Sequence, residues 1–389
     1  MDVMHRGIIT LLKSAITRES YVLPEGFDLE QAYPLVMEHQ ISTLIYDGAV
    51  RCGVDRSTPT MQKLFQVYCK ALMISEAQMQ EVNRIYAAFE ENQIDYMPLK
   101  GCLMKAYYPS QELRLMGDAD ILIRTEQYEK IADLMRNLGF DYQGESDHDY
   151  SWKSDTLHLE LHKNLMPTAN VDYHTYFGQG WERAVRENGF RSSMTVEDTF
   201  LFLFAHFAKH FRLAGIGCRH VVDLWVYLLA HPDINRLYLA EELEKLHLQE
   251  FYQNIINLLD CWFADRPLCA KMDLLTRFVF HSGSWGTIES GVLSSAVRNV
   301  HTEQNERKSK WIYIWSRVFP KVDTLRLRYP LLKKSNLFLP IIWVLYFADK
   351  IMHSHWSIRQ HMENVSLITQ DKLTEYQKSM SDFGFDEFF

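Results

Sequence analysis

The chain has 389 residues, and 47% of them are hydrophobic, which is enough to bury a sizeable core and excludes general disorder. The formal net charge of −9 and the pI of about 6.0 argue against a protein that mainly coats nucleic acid or anionic membranes.

Residues 1–92 are predicted to form a helical module. Residues 61–92 contain no Gly or Pro, and their apolar side chains recur at helical spacings. Upstream, residues 28–50 predict a shorter helix that is interrupted near Pro34.

Residues 93–190 alternate between strand and helix patterns, which predicts an α+β fold with a small mixed sheet. A strand at 93–99 leads into a helix at 102–109, and a strand at 118–124 leads into a helix that Gly139 closes. Two alternating segments separated by Ser154 and Asp155 predict a hairpin.

Residues 191–300 are predicted to be a helical domain that closes the active site, beginning with a helix capped by Thr195. The segment 301–389 is aromatic and basic, and it is expected to be helical with a polar break near 301–310. The strongest apolar run, at 337–348, is shorter than the roughly 20 residues that cross a bilayer.

The cysteines and the N-terminus suggest a compartment. The six cysteines are scattered and none has a metal-binding spacing, which favours buried thiols in a reducing environment. The N-terminus lacks a signal-peptide pattern, so we expect a cytoplasmic protein.

The segment "MGDADILI" carries the first candidate chemistry. Alternation along a strand sends Asp118 and Asp120 to the same face, where two buried like charges call for a cation. The predicted hairpin strand "LHLELH" adds His158, Glu160 and His162 on one face. If the two strands are neighbours, three carboxylates converge into a site for Mg²⁺ or Mn²⁺. The alternatives are that the aspartates cap a surface turn and that Glu160 faces solvent.

Upstream of the acids, "PLKG" lies at a predicted strand-to-helix turn. Gly101 allows a ligand to approach the backbone, and the following helix N-terminus offers free N–H groups to a phosphate. Lys100 adds a positive charge at the same place.

Together, these motifs resemble the polymerase-β-like nucleotidyltransferase superfamily, and in particular a large, mostly uncharacterised bacterial family of nucleotidyltransferases. That family carries LKG, an Arg shortly before Gly-Asp-x-Asp, and a later acid–Leu–His. The corresponding residues here are Lys100, Gly101, Arg114, Gly117, Asp118, Asp120, Glu160 and His162. The resemblance extends over about residues 25–350. The chain departs from the superfamily at Cys102, where a small Ser or Gly is usual.

The resemblance implies that Asp118, Asp120 and Glu160 are catalytic and bind Mg²⁺ or Mn²⁺. It also implies nucleotide-binding roles for Lys100, Gly101, Arg114 and Gly117. Arg114 either contacts the triphosphate or clamps the metal loop, unless it forms a surface ion pair. His162 is either a ligand or a hydrogen-bonded structural residue, and His158 is expected to be structural.

Two groups on the later helices are further candidates. His206, Lys209 and His210 share one helix face, where Lys209 either contacts phosphate or belongs to a polar stripe, and the HExxH zinc pattern is absent. Arg219 and Asp223 are four residues apart, so they either form an intrahelical ion pair or contribute to the nucleotide site.

The leading hypothesis is a Mg²⁺-dependent nucleotidyltransferase that moves an NMP from an NTP to an unknown acceptor hydroxyl and releases pyrophosphate. The first alternative is a catalytically idle domain that binds nucleotide or protein. The second is an RNA- or tRNA-directed transferase, since Arg307–Lys334 holds nine basic residues against Asp323. Nucleic acid is not the favoured partner, and the sequence leaves the oligomeric state open.

Overall fold

A computed structural model describes residues 1–168, 170–298, 322, 325, 329, 331–353 and 365–385. Within them the chain forms two units, one made of Met1–Ala208 and Gly217–Ser284 and the other of Lys209–Ile216 and Trp285–Phe389. The predicted four-part division of the chain stays a prediction.

The first unit begins with four helices and continues as the predicted α+β arrangement, which is confirmed. Its helices are α1 (Val3–Thr17), α2 (Leu29–Glu38), α3 (Ser42–Arg51), α4 (Pro59–Glu91), α5 (Lys100–Met104), α6 (Tyr128–Asn137) and α7 (Val171–Phe177). They are followed by α8 (Val196–Ala214), α9 (Cys218–Ala230), α10 (Arg236–Lys245), α11 (Gln249–Phe263) and α12 (Ala270–His281). Helix α8 runs from the first unit into the second.

The strands form a five-stranded mixed sheet and a separate two-stranded ribbon. They are β1 (Tyr96–Leu99), β2 (Ala119–Ile123), β3 (Asp141–Glu145), β4 (Asp149–Lys153), β5 (His158–His162), β6 (Ala184–Arg186) and β7 (Ser192–Met194). The large sheet has the order β1-β2-β5-β4-β3, in which β2 and β5 run parallel and the other neighbours are antiparallel. The predicted β4–β5 hairpin is confirmed.

The two faces of the large sheet differ in chemistry. One face packs on α4 and α6, and Ile85, Ile121, Ile131, Trp152 and Leu159 are buried there. Because strand side chains alternate, the acids of β2 and β5 lie on the opposite face. Burial of the apolar face therefore fixes which way the acids point.

The described part of the second unit is helical, and none of the chain's described helices is long and apolar enough to cross a membrane. The elements described there after residue 285 are Ile288–Arg298, Leu331–Lys334, Leu339–His353 and Gln370–Asp382, with a short 3₁₀ turn at Asn336–Phe338. Most of the predicted basic segment Arg307–Lys334, including Arg326 and Arg328, and the polar break at 301–310 lie outside the described residues.

Three sequence predictions about local structure were wrong. Pro34 lies inside α2, and the break between α2 and α3 falls at Gln40, whose φ of 54° is left-handed. The helix predicted at 102–109 is only the short α5, continued by a 3₁₀ turn at Lys105–Tyr107. All six thiols are free, but only Cys218 is fully buried, and Cys269 is exposed.

Candidate active site

The acids of the site are aligned across two neighbouring strands. Asp120 of β2 is the direct partner of Glu160 of β5 in the parallel register, and Asp118 directly precedes β2. Because the pairing is parallel, residues of the same alternation phase on both strands face the same side of the sheet. The predicted convergence of Asp118, Asp120 and Glu160 is thus present.

Two overlapping groups of side chains bring potential metal ligands together. In one, a ligand atom from each of Asp118, His158 and Glu160 lies within 4.8 Å of the others, and all three residues are partly exposed. In the other, Asp120, Glu160 and His162 meet the same distance limit. Asp120 and His162 are buried, with 2% and 0% of their surface exposed, so the second group lies deeper than the first.

The carboxylate of Asp120 forms an ion pair with Lys100 and a hydrogen bond with His162. Lys100 Nζ lies 2.7 Å from Asp120 Oδ1, and His162 Nε2 lies 2.9 Å from the same oxygen. Burial opposes the charge of Asp120, but Lys100 and the His162 hydrogen bond outweigh it and hold the pKa of Asp120 below its usual range. Asp120 is therefore ionised at neutral pH.

His162 bridges the buried Asp120 and the partly exposed Glu160. Its Nε2 also lies 3.5 Å from Glu160 Oε2, and this contact lowers the pKa of Glu160 against the effect of burial. Burial and Lys100 alone would lower the pKa of His162, yet the contacts with Asp120 and Glu160 raise it. The geometry therefore favours His162 as a hydrogen-bonded residue that holds the carboxylates.

The pKa of Asp118 is shifted in the opposite direction to those of Asp120 and Glu160. Burial, together with the neighbouring charges of Asp120 and Glu160, raises the pKa of Asp118. A cation at this position would relieve that repulsion.

The LKG turn precedes the acids at the end of β1. Lys100 adopts a φ of 36°, which is left-handed and unusual for a residue with a side chain. A Cβ on Gly101 would lie 3.0 Å from Met116 Cγ and 3.1 Å from Arg114 Nη1, so any other residue would require these two side chains to move by a few tenths of an ångström. Gly117 is exposed, and a Cβ there would meet open space. The nucleotide-binding roles of these residues stay predictions.

Cys102, the departure from the superfamily pattern, packs against the hydrophobic core beneath the sheet. Burial raises the pKa of its thiol to about 12, and the thiol is hydrogen-bonded with Tyr86.

Arg114 is buried and forms an ion pair with a residue 109 positions later. Its Nε lies 3.2 Å from Asp223 Oδ1 and its Nη2 lies 3.0 Å from Asp223 Oδ2. Tyr108 donates a third hydrogen bond to Asp223 at 2.7 Å. Burial opposes the charge of Arg114, but Asp223 raises its pKa. This geometry supports the clamping role for Arg114.

Arg219 is also buried and shares a contact with Arg114, the carbonyl oxygen of Leu115. Its Nη1 donates to Gln40 Oε1 at 2.9 Å and contacts the carbonyl oxygen of Leu115 at 3.4 Å. Burial and the nearby Arg114 lower the pKa of Arg219 to about 10. Arg219 thus helps to hold the segment that leads into the acids.

The remaining predicted residues lie on α8. The ring of His206 packs against Phe202 in the first unit, with 6.4 Å between the ring centroids. Lys209 and His210 belong to the second unit, where His210 contacts Trp285. The predicted phosphate contact of Lys209 stays a prediction.

The sequence argument expected His158 to be structural, and the structure places it beside Asp118 and Glu160; the argument did not find Tyr108. His158 has the same alternation phase as Glu160, and that signal was available in "LHLELH". No local pattern connects Tyr108 with Asp223.

Comparison with known proteins adds one finding. A family model described as "uncharacterised nucleotidyltransferase" matches residues 25–264, well over half of the chain. The match contains the acids, the LKG turn and the Arg114–Asp223 pair, but it ends earlier than the resemblance expected from the sequence. No curated protein and no solved structure matches the chain.

Proposed function

Since the chain belongs to the uncharacterised nucleotidyltransferase family, we propose that it transfers a nucleotide from an NTP to an acceptor hydroxyl in a reaction that requires Mg²⁺ or Mn²⁺. The observation that carries the proposal is the convergence of Asp118, Asp120 and Glu160 on the polar face of the sheet. An acceptor oxygen would attack the α-phosphorus, and the bond to the β-phosphate would break to release pyrophosphate.

The donor set fits a divalent cation. Carboxylate oxygens from Asp118 and Glu160, and from Asp120 and Glu160, come within 4.8 Å of one another. Asp118 is partly buried beside the like charges of Asp120 and Glu160, which raise its pKa, and a cation would relieve that repulsion. When bound, the cation would neutralise phosphate charge and favour attack by the acceptor.

The acids have different roles in this proposal. Asp118 and Asp120 would hold the cations, with Glu160 completing the ligand set, and Asp120 is kept ionised by Lys100 and His162. Glu160 is partly exposed, so its carboxylate can reach an acceptor and take the proton of the hydroxyl as that hydroxyl attacks. Transfer of this kind depends on positioning and charge neutralisation, which the site's residues supply.

The buried polar network beside the site would keep these acids in place. Arg114 and Arg219 both contact the carbonyl oxygen of Leu115, three residues before Asp118. Because Arg114 is also bonded to Asp223 of α9, the segment 114–118 is tied to the helices that follow. Arg114 is therefore proposed as a positioning residue.

The proposal is tested with NTPs labelled at the α- or the γ-phosphate, incubated with pools of small molecules, proteins and RNA as acceptors. Nucleotidyl transfer moves the α label to an acceptor and releases the γ label as pyrophosphate. Asp118→Asn should reduce transfer at least about a hundredfold, whereas Asp155→Asn, at the exposed hairpin turn, should not change it. Transfer of the γ label instead, or full activity of Asp118→Asn, would overturn the proposal.

A further inference from the structure

The more exposed ligand group contains a histidine as well as two acids. Asp118, His158 and Glu160 each offer one ligand atom, and these atoms lie within 4.8 Å of one another. All three residues are partly exposed, whereas Asp120 and His162 are buried. An ion from solvent therefore reaches the first group more easily than it reaches Asp120 and His162. A nitrogen donor therefore lies where the cation would enter.

The two histidines of the site are held differently. His162 Nε2 is engaged with Asp120 Oδ1 at 2.9 Å and contacts Glu160 at 3.5 Å. His158 Nε2 instead lies 2.8 Å from Ser151 Oγ, a neutral hydroxyl on β4. When Nε2 donates to Ser151, the other ring nitrogen carries the lone pair that a cation requires. A hydrogen bond on one nitrogen that orients the other is the usual arrangement for a metal-binding histidine.

We propose that His158 is a nitrogen ligand in a mixed site with Asp118 and Glu160, and that this site prefers a transition-metal ion such as Mn²⁺ to Mg²⁺. Mg²⁺ selects oxygen ligands and retains several waters, whereas imidazole favours transition-metal ions. Ser151 is the positioning residue for the His158 ring. The inference rests on the proposed function, because it takes the same acids as the cation site.

Pulsed electron paramagnetic resonance on the Mn²⁺-loaded full chain tests the ligand directly. A coordinated imidazole produces a ¹⁴N coupling on Mn²⁺, which carboxylates and water do not. The wild type should show this coupling, His158→Gln should lose it, and the exposed His281→Gln should keep it. Circular dichroism of each variant checks that it is folded, and the wild-type spectrum is informative even if a variant fails to fold.

Competition between the two ions tests the preference. Mg²⁺ should displace Mn²⁺ from the wild type only in large excess, and His158→Gln should weaken Mn²⁺ binding at least about tenfold. Ser151→Ala should weaken Mn²⁺ binding less than His158→Gln, because the ring is still present.

The outcomes separate this inference from the proposed function. Mn²⁺ binding that needs Asp118 but shows no ¹⁴N coupling would overturn the role of His158 and leave the carboxylate site intact. A coupling that persists in His158→Gln and disappears in His162→Gln would also overturn it. Absence of any Mn²⁺ or Mg²⁺ binding would overturn both.

Discussion

The Nζ atom of Lys100 lies 2.7 Å from Oδ1 of Asp120, while the backbone of Lys100 adopts a left-handed φ of 36°. A backbone of this kind costs about 1–2 kcal/mol for a residue with a Cβ. The turn therefore combines backbone strain with an ion pair to Asp120 on the polar face of β2, and strain that persists at such a place is typical of functional sites.

The strain can be measured with two variants that lose the same ion pair. Lys100→Ala and Lys100→Gly both remove the ammonium group, but only the glycine tolerates the left-handed backbone without strain. Lys100→Gly should therefore have a free energy of unfolding higher than that of Lys100→Ala by about 1 kcal/mol. Urea denaturation measures both. Equal stabilities, or a more stable alanine variant, would contradict the strain.

Removing only one partner of the buried Arg114–Asp223 pair should greatly lower the free energy of unfolding. Arg114→Met leaves the Asp223 carboxylate buried with Tyr108 as a partner, and we expect a loss of about 3 kcal/mol in the free energy of unfolding. Adding Asp223→Leu should recover part of this loss. The exposed Arg136–Asp133 pair is the control, and its removal should change stability by less than about 1 kcal/mol. Additive losses at Arg114 and Asp223 would argue against the coupling.

The two glycines of the site should respond differently to alanine. At Gly101 the added Cβ meets Met116 and Arg114 at 3.0 and 3.1 Å, so the neighbours must shift, at a cost of about 1 kcal/mol or more. At Gly117 the Cβ meets open space, and the change in stability should stay within about 0.5 kcal/mol. Thermal unfolding of the two variants compares them, and a greater loss at Gly117 would contradict the packing described here.

Lys105 predicts a pH dependence of stability. Burial, followed by repulsion from Arg114, lowers the pKa of Lys105 to about 8, although Nζ donates to Ser75 Oγ at 2.7 Å and to the Gln111 carbonyl at 2.9 Å. Between pH 8 and the unfolded pKa of about 10.4, the folded state has released a proton that the unfolded state still holds. Stability should therefore rise with pH in this window.

The comparison with Lys105→Met isolates this effect from other titrations. The wild type should gain on the order of 2 kcal/mol relative to the variant between about pH 8 and 10. Urea denaturation at several pH values measures the difference. If the difference in the free energy of unfolding between the wild type and Lys105→Met stays constant or falls across this window, burial does not lower the pKa of Lys105.

Much of the site could be predicted because its signals are local. The alternation of acids and aliphatic residues in "DADILI" and "LHLELH" fixed which side chains share a face, and the hairpin followed from Ser154-Asp155. The sequence argument assumed, but could not predict, that β2 pairs with β5. This pairing depends on burial of Ile121 and Leu159 against the helices, which no short segment encodes.

The features that were missed depend on contacts distant in sequence or on atypical segments. Strand β3 contains Gly144 and four exposed residues, so its sequence lacks an apolar alternation. Asp223 pairs with Arg114, 109 residues away, whereas the sequence argument considered only Arg219, four residues away, as an ion-pair partner. Pro34 is accommodated inside α2, and the break falls instead at the left-handed Gln40.

The most direct test of the central claim is the thermal stability of the protein with each NTP, with and without Mg²⁺ or Mn²⁺. A ligand at 100 times its dissociation constant adds about 2.7 kcal/mol to stability. We predict that at least one NTP stabilises the wild type only when a cation is present, and that Asp118→Asn loses this effect while Asp155→Asn keeps it. No stabilisation by any NTP, or equal stabilisation of Asp118→Asn, would contradict a nucleotide site built on these acids.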